Sequence, residues 1–265
     1  FRADAERAAA MGVALWPRIP DRALLWGPAP IDWCEENRPA SNPLGVQEWH
    51  NTLTNLAYVI VGVALAYQSR RARLPCSHRL IFIGFCLACV ATGVTSMWFH
   101  ASLVYAAQKA DEFSENAAVI CLCHLAAPAS TEARAIAAAS AHALLLGCAV
   151  LAIPELFCEV HLLLAVLVGF ARIAMRLREL PAAYRAERDA LSRIFARSAA
   201  LAAAGFACWL VDMLWCTPLI RRLLLHAYAW HILTALSLHE GGRGSLALAA
   251  LRLHVAERAI KRRRS

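Results

Sequence analysis

The sequence predicts an all-α polytopic membrane protein, a bundle of seven transmembrane helices. Of its 265 residues, 60% are hydrophobic and only 17% are charged, and the mean hydropathy is +0.48. Soluble domains carry roughly 45–50% apolar and about 25% charged residues, so both values depart in the same direction. The apolar residues form blocks of about 16–20 residues, a length that matches the hydrocarbon core of a bilayer. This pattern excludes a soluble enzyme, a disordered chain and a small disulfide-rich secreted domain.

Seven apolar blocks are candidate spans. The second and fourth contain no Asp, Glu, Lys or Arg. The third contains Glu115 and Asn116 and the fifth contains Glu159, polar groups that belong at an interface or inside the bundle. In chain order the predicted spans are Asn51–Tyr67, Leu80–Phe99, Phe113–Pro128, Ala135–Ile153, Leu156–Phe170, Ser198–Trp215 and Leu223–Leu238.

The positive charges predict the orientation. With the N-terminus outside or in a lumen, 19 of the 27 Lys and Arg residues fall on the cytosolic side, where short loops carry the excess. The net charge of +8 forms no single basic face, so nucleic acid is not an expected partner. We expect a lumenal arm over 1–50 without a cleavable signal peptide, a transmembrane domain over 51–240 and a basic cytosolic tail over 241–265. The loop over 176–197 is expected to be helical at the membrane surface.

Polar and metal-ligating residues concentrate at one end of this predicted bundle. Spans two and six run outward while spans three and seven run inward, so all these residues fall in the outer half of the membrane. Catalytic zinc takes three protein ligands and leaves a fourth position for water, and this set of histidines and carboxylates is suitable. The residues are Ser96, His100, Asp111, Glu112, Glu115, Asn116, Asp212, His226 and His231.

Outside this set, His124, His142 and His161 occur singly in the predicted spans. A lone histidine in a helix is usually a hydrogen-bonded packing residue, and we interpret these three in that way. Eight of the ten cysteines lie in or beside spans and are interpreted as small buried apolar residues. The other two, Cys34 and Cys216, both fall on the outer side. If that side is an oxidising lumen, we expect a disulfide between them.

Five motifs occur in a fixed order between Trp26 and His239, and through them the chain resembles the alkaline ceramidases. That family belongs to a wider group of seven-helix membrane hydrolases and receptors. One motif alone is modest evidence, whereas five in order are strong. They are Trp26-Gly27-Pro28 with Asp32-Trp33-Cys34-Glu35-Glu36-Asn37; Glu48-Trp49-His50-Asn51-Thr52 with Asn55-Leu56; Ser96-x3-His100 with Gln108 and Asp111-Glu112; Gly205-Phe206 with Trp209, Asp212 and Cys216; and Trp230-His231-Ile232-Leu233-Thr234.

The resemblance implies a zinc-dependent amidase. It implies that His100, His226 and His231 hold Zn²⁺, that Asp111 is the general acid/base and that Ser96 stabilises the oxyanion. The reaction implied is hydrolysis of the amide of ceramide, phytoceramide or dihydroceramide to a sphingoid base and a fatty acid. The expected partner is this lipid within the bilayer, with no protein partner, and the expected location is the endoplasmic reticulum or Golgi membrane.

The resemblance also implies a calcium site in the N-terminal arm. Calcium takes six to eight oxygen ligands, and this segment offers carboxylates, a carboxamide and a carbonyl. As a bare pattern, the same acidic segment is equally typical of a helix cap and a solvated turn. The implied ligands are Asp32, Trp33 through its carbonyl, Glu35, Asn37 and Glu48.

Three features depart from the family pattern. The spacing His226-x4-His231 replaces His-x3-His, and residues five apart do not share a face of an α-helix. Either a π-bulge or a bend realigns the two rings, or His226 is not a ligand. Glu48 lies two residues further from Asp32 than the family spacing places it. After Asp111-Glu112 this chain continues with Phe-Ser-Glu-Asn, whereas the family usually has apolar residues and a proline there.

Two other functions stay open. One is a receptor of the progestin and adiponectin type, although those receptors have a cytosolic N-terminus and lack the acidic opening motif. The other is a catalytically impaired lipid-binding homologue, which the altered histidine spacing would explain.

Overall fold

The computed structural model describes residues 26–31, 33–37, 44–126, 132–152 and 155–264, and within these ranges it contains helices and no β-strand. The predicted all-α class is therefore confirmed. A 3₁₀ turn at Ala182–Tyr184 and a π-helix at Leu225–His231 interrupt the series of α-helices. The α-helices are α1 Trp49–Thr54, α2 Leu56–Ser69, α3 Cys76–Ser102, α4 Tyr105–Leu125, α5 Glu132–Ala152, α6 Glu155–Arg178, α7 Arg185–Leu214, α8 Pro218–Leu223 and α9 Ile232–Arg264.

Helices overlap all seven predicted spans, and the chain is a multi-pass membrane protein. Four stretches of the described residues are long and apolar enough to cross a membrane: Trp49–Ser69, Cys76–Ser102, Cys158–Arg178 and Ala182–Leu214. Helix α4 is not among these apolar stretches because four of its first eleven residues are charged. The count of seven spans and the orientation stay predictions. The predicted span ends Pro128 and Ile153 lie outside the described residues.

Several helices are longer than hydropathy predicts. Helix α4 begins at Tyr105 rather than Phe113, and α9 continues to Arg264 rather than ending near 238. Helix α7 starts at Arg185 and runs for 30 residues into the sixth span. The segment over 176–197 is mostly helical, as expected, but it consists of the end of α6, a short connection and the start of a continuous helix rather than a separate surface helix. Its location at the membrane surface stays a prediction. Hydropathy detects only the apolar part of such helices, whereas Glu, Arg, Lys and Ala favour helix on both sides of it.

Close packing of α2 on α3 positions the first histidine. A Cβ atom on Gly62 would lie 2.7 Å from the Cys86 carbonyl oxygen, and one on Gly93 would lie 2.9 Å from the Asn55 carbonyl oxygen. Small residues at such crossings let two membrane helices approach backbone to backbone. Helix α3 also packs along α4, and α7 packs along α9. Residues near the ends of α3, α4 and α7 line one space together with the π-helix.

The N-terminal arm is pinned to the end of α3 by backbone hydrogen bonds. Leu103 has a positive φ of 51° and ends the helix, which turns the chain toward α4. The Leu103 carbonyl accepts a hydrogen bond from the Ala29 N–H at 2.8 Å, and the His100 carbonyl accepts one from the Glu48 N–H at 3.0 Å. These bonds bring the side chain of Glu48 next to His100.

Candidate active site and metal centre

Three histidines from two helical elements meet at one place in the bundle. His100 comes from α3, whereas His226 and His231 come from the π-helix. Each offers a nitrogen, and these nitrogens lie within 4.8 Å of one another. The side chains are at most 3% exposed. Three neutral imidazoles at this separation are a suitable ligand set for zinc.

The π-helix resolves the spacing of the histidine pair. Residues Leu225–His231 follow a positive-φ residue, Leu224, which separates them from α8. A π-helix repeats its hydrogen bonds from i to i+5, so residues five apart lie on the same face. The ring centroids of His226 and His231 are accordingly 4.7 Å apart. Of the alternatives that the sequence left open, the structure has the π-type realignment.

Two side chains orient the ligand rings. The Nδ1 of His100 hydrogen-bonds to Oε2 of Glu48, and the Nδ1 of His231 lies 2.8 Å from Oγ1 of Thr54. The Thr54 hydroxyl donates to the His50 carbonyl at 2.8 Å, so it accepts from the His231 N–H. Both histidines therefore carry their proton on Nδ1 and have Nε2 available for a metal, the usual arrangement around metal-binding histidines.

The third ring, His226, is held by stacking. The Trp33 ring lies on it with centroids 3.7 Å apart and an interplanar angle of 24°. Its Nδ1 is buried and has no hydrogen-bond partner among the residues described by the structure. An orphaned ring nitrogen beside two oriented imidazoles is an observation that a metal ion would explain, since buried polar atoms are otherwise paired.

Ser96 and Asp111 share a cavity with the three histidines. Both side chains are buried, and Ser96 hydrogen-bonds to the Asp111 carboxylate. Within the described part of the chain, Oδ1 of Asp111 has no partner. The cavity that contains these groups has a volume of about 50 Å³, enough for water or one small reacting group. A carboxylate with a free oxygen beside a metal centre is suited to proton transfer.

Comparison with known proteins decides the family. The sequence model of the ceramidase family matches residues 27–258, most of the chain. The chain belongs to the ceramidase family. A 106-residue stretch is 36% identical to alkaline ceramidase YPC1 of Saccharomyces cerevisiae, covering 38% of this chain and 31% of the yeast protein. A 94-residue stretch is 38% identical to alkaline ceramidase 3 of Mus musculus, covering 35% of this chain and 33% of the mouse protein. The aligned stretches thus span about a third of the length of these relatives.

The predicted calcium ligands of this ceramidase-family chain lie in the arm that precedes α1. Trp33, Glu35 and Glu48 are buried, Asn37 is exposed, and Asp32 lies outside the described residues. The Glu35 oxygens accept the N–H groups of His50 and Asn51 at 2.6 and 2.7 Å. Burial raises the pKa of the Glu35 carboxyl despite these bonds. A bound cation would offset that cost, and each carboxylate oxygen has a further lone pair for it.

A disulfide between Cys34 and Cys216 ties the arm to the end of α7, with the two Cα atoms 5.3 Å apart. Asp212 reinforces this link. Its Oδ2 accepts the Cys34 N–H at 3.1 Å, and its carboxylate also accepts the backbone N–H of His226. The sequence grouped Asp212 with the candidate ligands, whereas the structure has it bind backbone donors. Asp212 is thus a positioning residue that connects the arm to the π-helix.

A second, apolar cavity adjoins the site, and the sequence analysis missed it. Its volume is about 430 Å³, and it lies between α6 and α7. The residues lining both cavities are Glu115, Leu162, Phe206 and Trp230. The cavity is lined by apolar helix faces, and hydropathy does not distinguish such faces from those that contact lipid. The sequence therefore contains no signal that predicts this cavity.

Proposed function

We propose that this chain hydrolyses the amide bond of ceramide, or of phytoceramide or dihydroceramide, to a sphingoid base and a fatty acid. The supporting observation is a buried polar centre next to an apolar cavity, within a chain of the ceramidase family. An amide at the centre and alkyl chains in the cavity match these two environments. Ligand pockets of about 300–1,000 Å³ are typical, and the apolar cavity is within that range.

His100, His226 and His231 are the proposed zinc ligands. When bound, zinc polarises a carbonyl and lowers the pKa of water to about 7. Glu48 and Thr54 hold two of the rings in the tautomer that presents Nε2 to the centre. Trp33 stacks on the third ring, which is buried.

Asp111 is the proposed general acid/base. Its carboxylate takes a proton from the attacking water and returns it to the leaving nitrogen, which is a poor leaving group until it is protonated. Ser96 donates its hydroxyl to the Asp111 carboxylate and holds it in place. Once Asp111 has taken the water proton, it no longer needs this donor, and the Ser96 hydroxyl turns to the oxyanion that forms on the amide carbonyl. Both residues line the polar cavity that contains the three histidines.

Calcium is the proposed second metal, bound by Asp32, the Trp33 carbonyl, Glu35, Asn37 and Glu48. These ligands provide the oxygen donors that calcium prefers. Trp33 and Glu48 also contact the zinc ligands His226 and His100, so an ordered arm would hold both rings. A location in the endoplasmic reticulum or Golgi membrane is also proposed, since the disulfide suits an oxidising lumen.

The test is hydrolysis by the purified full chain in detergent. Release of sphingoid base from ceramide, dihydroceramide and phytoceramide is measured with and without calcium. Asp111→Asn is expected to lower turnover by about 10²–10⁴-fold without loss of folding. Asp189→Asn on the exposed face of α7 is the matched control and retains activity. Binding of ceramide without turnover of any of the three substrates would favour the impaired homologue or a receptor over an enzyme.

A further inference from the structure

Three histidines that the sequence treats as separate packing residues meet at a second place in the bundle. They come from three consecutive helices: His124 from α4, His142 from α5 and His161 from α6. The Nε2 atoms of His142 and His161 are 3.2 Å apart. The ring centroid of His124 lies 5.7 Å from that of His142, edge to face. Ligand-type side chains that meet inside a membrane bundle are costly and call for a functional explanation.

Asn116 fixes the tautomer of the pair. Its Nδ2 donates to the Glu112 carbonyl at 2.8 Å, so its Oδ1 faces Nδ1 of His161 at 2.6 Å as an acceptor. His161 therefore carries its proton on Nδ1 and directs an Nε2 lone pair at His142. An oxygen acceptor behind one ring nitrogen is the arrangement found around metal-binding histidines.

We propose that His142 and His161, with His124 as a third ligand, form a second transition-metal site in this protein. Two nitrogens on one tetrahedral zinc ion are about 3.3 Å apart, close to the separation here. A shift of the His142 proton from Nε2 to Nδ1 opens the second lone pair, and His124 completes the set by turning its ring toward the pair. Imidazole nitrogens suit Zn²⁺, Cu²⁺ and Ni²⁺.

A proton relay is the competing interpretation, and Asn116 disfavours it. An amide oxygen accepts a hydrogen bond but does not pass a proton onward, so the chain of rings ends at that residue. Arg172 lies near His124 and His142, with Nη1 donating to the Cys123 carbonyl at 3.3 Å. Its positive charge favours neutral rings, the form that binds metals. The same charge weakens the binding of a divalent ion, so the affinity is expected to be lower than at the three-histidine centre.

The test counts metal ions in the purified full chain after equilibrium dialysis against zinc. We expect about two zinc ions per wild-type chain and about one in His231→Gln. The double variant His142→Gln/His161→Gln is expected to retain about one, while His254→Gln on the exposed end of α9 behaves like wild type. A double variant that binds as much zinc as wild type overturns the second site. If the double variant loses a zinc ion and His231→Gln does not, the second site is supported and the proposed zinc centre at His100, His226 and His231 is contradicted.

A second measurement does not depend on folding of the double variant. The His231→Gln chain is loaded with one equivalent of Cu²⁺ and examined by electron paramagnetic resonance. Hyperfine coupling to two or three imidazole nitrogens that disappears in His231→Gln/His142→Gln supports the site. A copper signal without nitrogen coupling, or one unchanged by the added substitution, overturns it. Gel filtration and circular dichroism of each variant establish that it remains folded.

Discussion

The hydrogen bond between Glu48 and His100 allows a sharp test of how the arm supports the metal centre. Glu48 is fully buried, and Oε1 accepts the Trp33 N–H at 3.1 Å. Oε2 accepts the Nδ1–H of His100 and the Asn51 amide N–H, the latter at 3.1 Å. Glu48→Gln keeps the shape but replaces one oxygen with a donor. In either orientation of the new amide, its NH₂ group faces an N–H donor, of Trp33 in one case and of His100 in the other.

The size of the effect follows from these bonds. A hydrogen bond to a charged group contributes about 1.5–3 kcal/mol, and the loss leaves a buried N–H without an acceptor. Removal of an outer partner from a metal-binding histidine typically lowers metal affinity by about 10–100-fold. That range corresponds to roughly 1.4–2.7 kcal/mol, in agreement with the loss of one charged hydrogen bond. We therefore expect the zinc Kd of Glu48→Gln to rise by about 10–100-fold.

The assay is zinc competition against a chromophoric chelator in calcium-free buffer. Calcium is left out because Glu48 is also a proposed calcium ligand. An effect on zinc binding in calcium-free buffer therefore comes through the hydrogen bonds of Glu48 to His100 and Trp33 and not through calcium. Glu36→Gln changes an exposed carboxylate in the same segment and serves as the matched control. If both variants bind zinc as tightly as wild type, the orienting role assigned to Glu48 is wrong.

Three further predictions concern the other contacts of the site. Thr54→Val removes the hydroxyl that accepts from the Nδ1–H of His231. Because this hydrogen bond is neutral, its loss should raise the zinc Kd by only about three- to tenfold in the same competition assay. An unchanged Kd contradicts the assigned tautomer. Cys216→Ser should add one free thiol to the count made on the unfolded, unreduced chain and lower the midpoint of thermal unfolding, since a native disulfide stabilises by about 2–5 kcal/mol; a thiol count that falls by one argues against the bond. Ala203→Phe narrows the apolar cavity and should raise KM for long-chain ceramides more than for short-chain ones, whereas Ala190→Phe on the exposed part of α7 should not; equal effects on both substrates would exclude this cavity as the chain-binding site.

The fold class and the meeting of the three predicted zinc ligands were accessible from the sequence. Hydropathy detects apolar blocks, and the alternating direction of the spans brings Ser96, His100 and the later histidines to one end. The realignment of His226 with His231 was only one of several alternatives, because five-residue spacing does not dictate a π-helix. That conformation depends on tertiary packing around the segment, including the Asp212 bond to the His226 N–H.

The remaining features depend on long-range contacts. The pairing of Glu48 with His100 joins residues 52 positions apart, and nothing near either residue predicts it. The meeting of His142 with His161 requires the packing of α5 on α6. Each histidine alone is indistinguishable from a packing residue in the sequence. The apolar cavity likewise depends on how far α6 and α7 stand apart, a distance that residue types do not set.

The central claim is that one zinc ion at His100, His226 and His231 is required for amide hydrolysis. The most direct measurement is the zinc content and ceramide turnover of the same purified samples of wild type and His231→Gln. We predict that the substitution removes about one zinc ion per chain and abolishes turnover together, with the helical circular dichroism unchanged. Turnover that persists in His231→Gln after this zinc is lost, or zinc-loaded wild type that hydrolyses no ceramide, would contradict the claim.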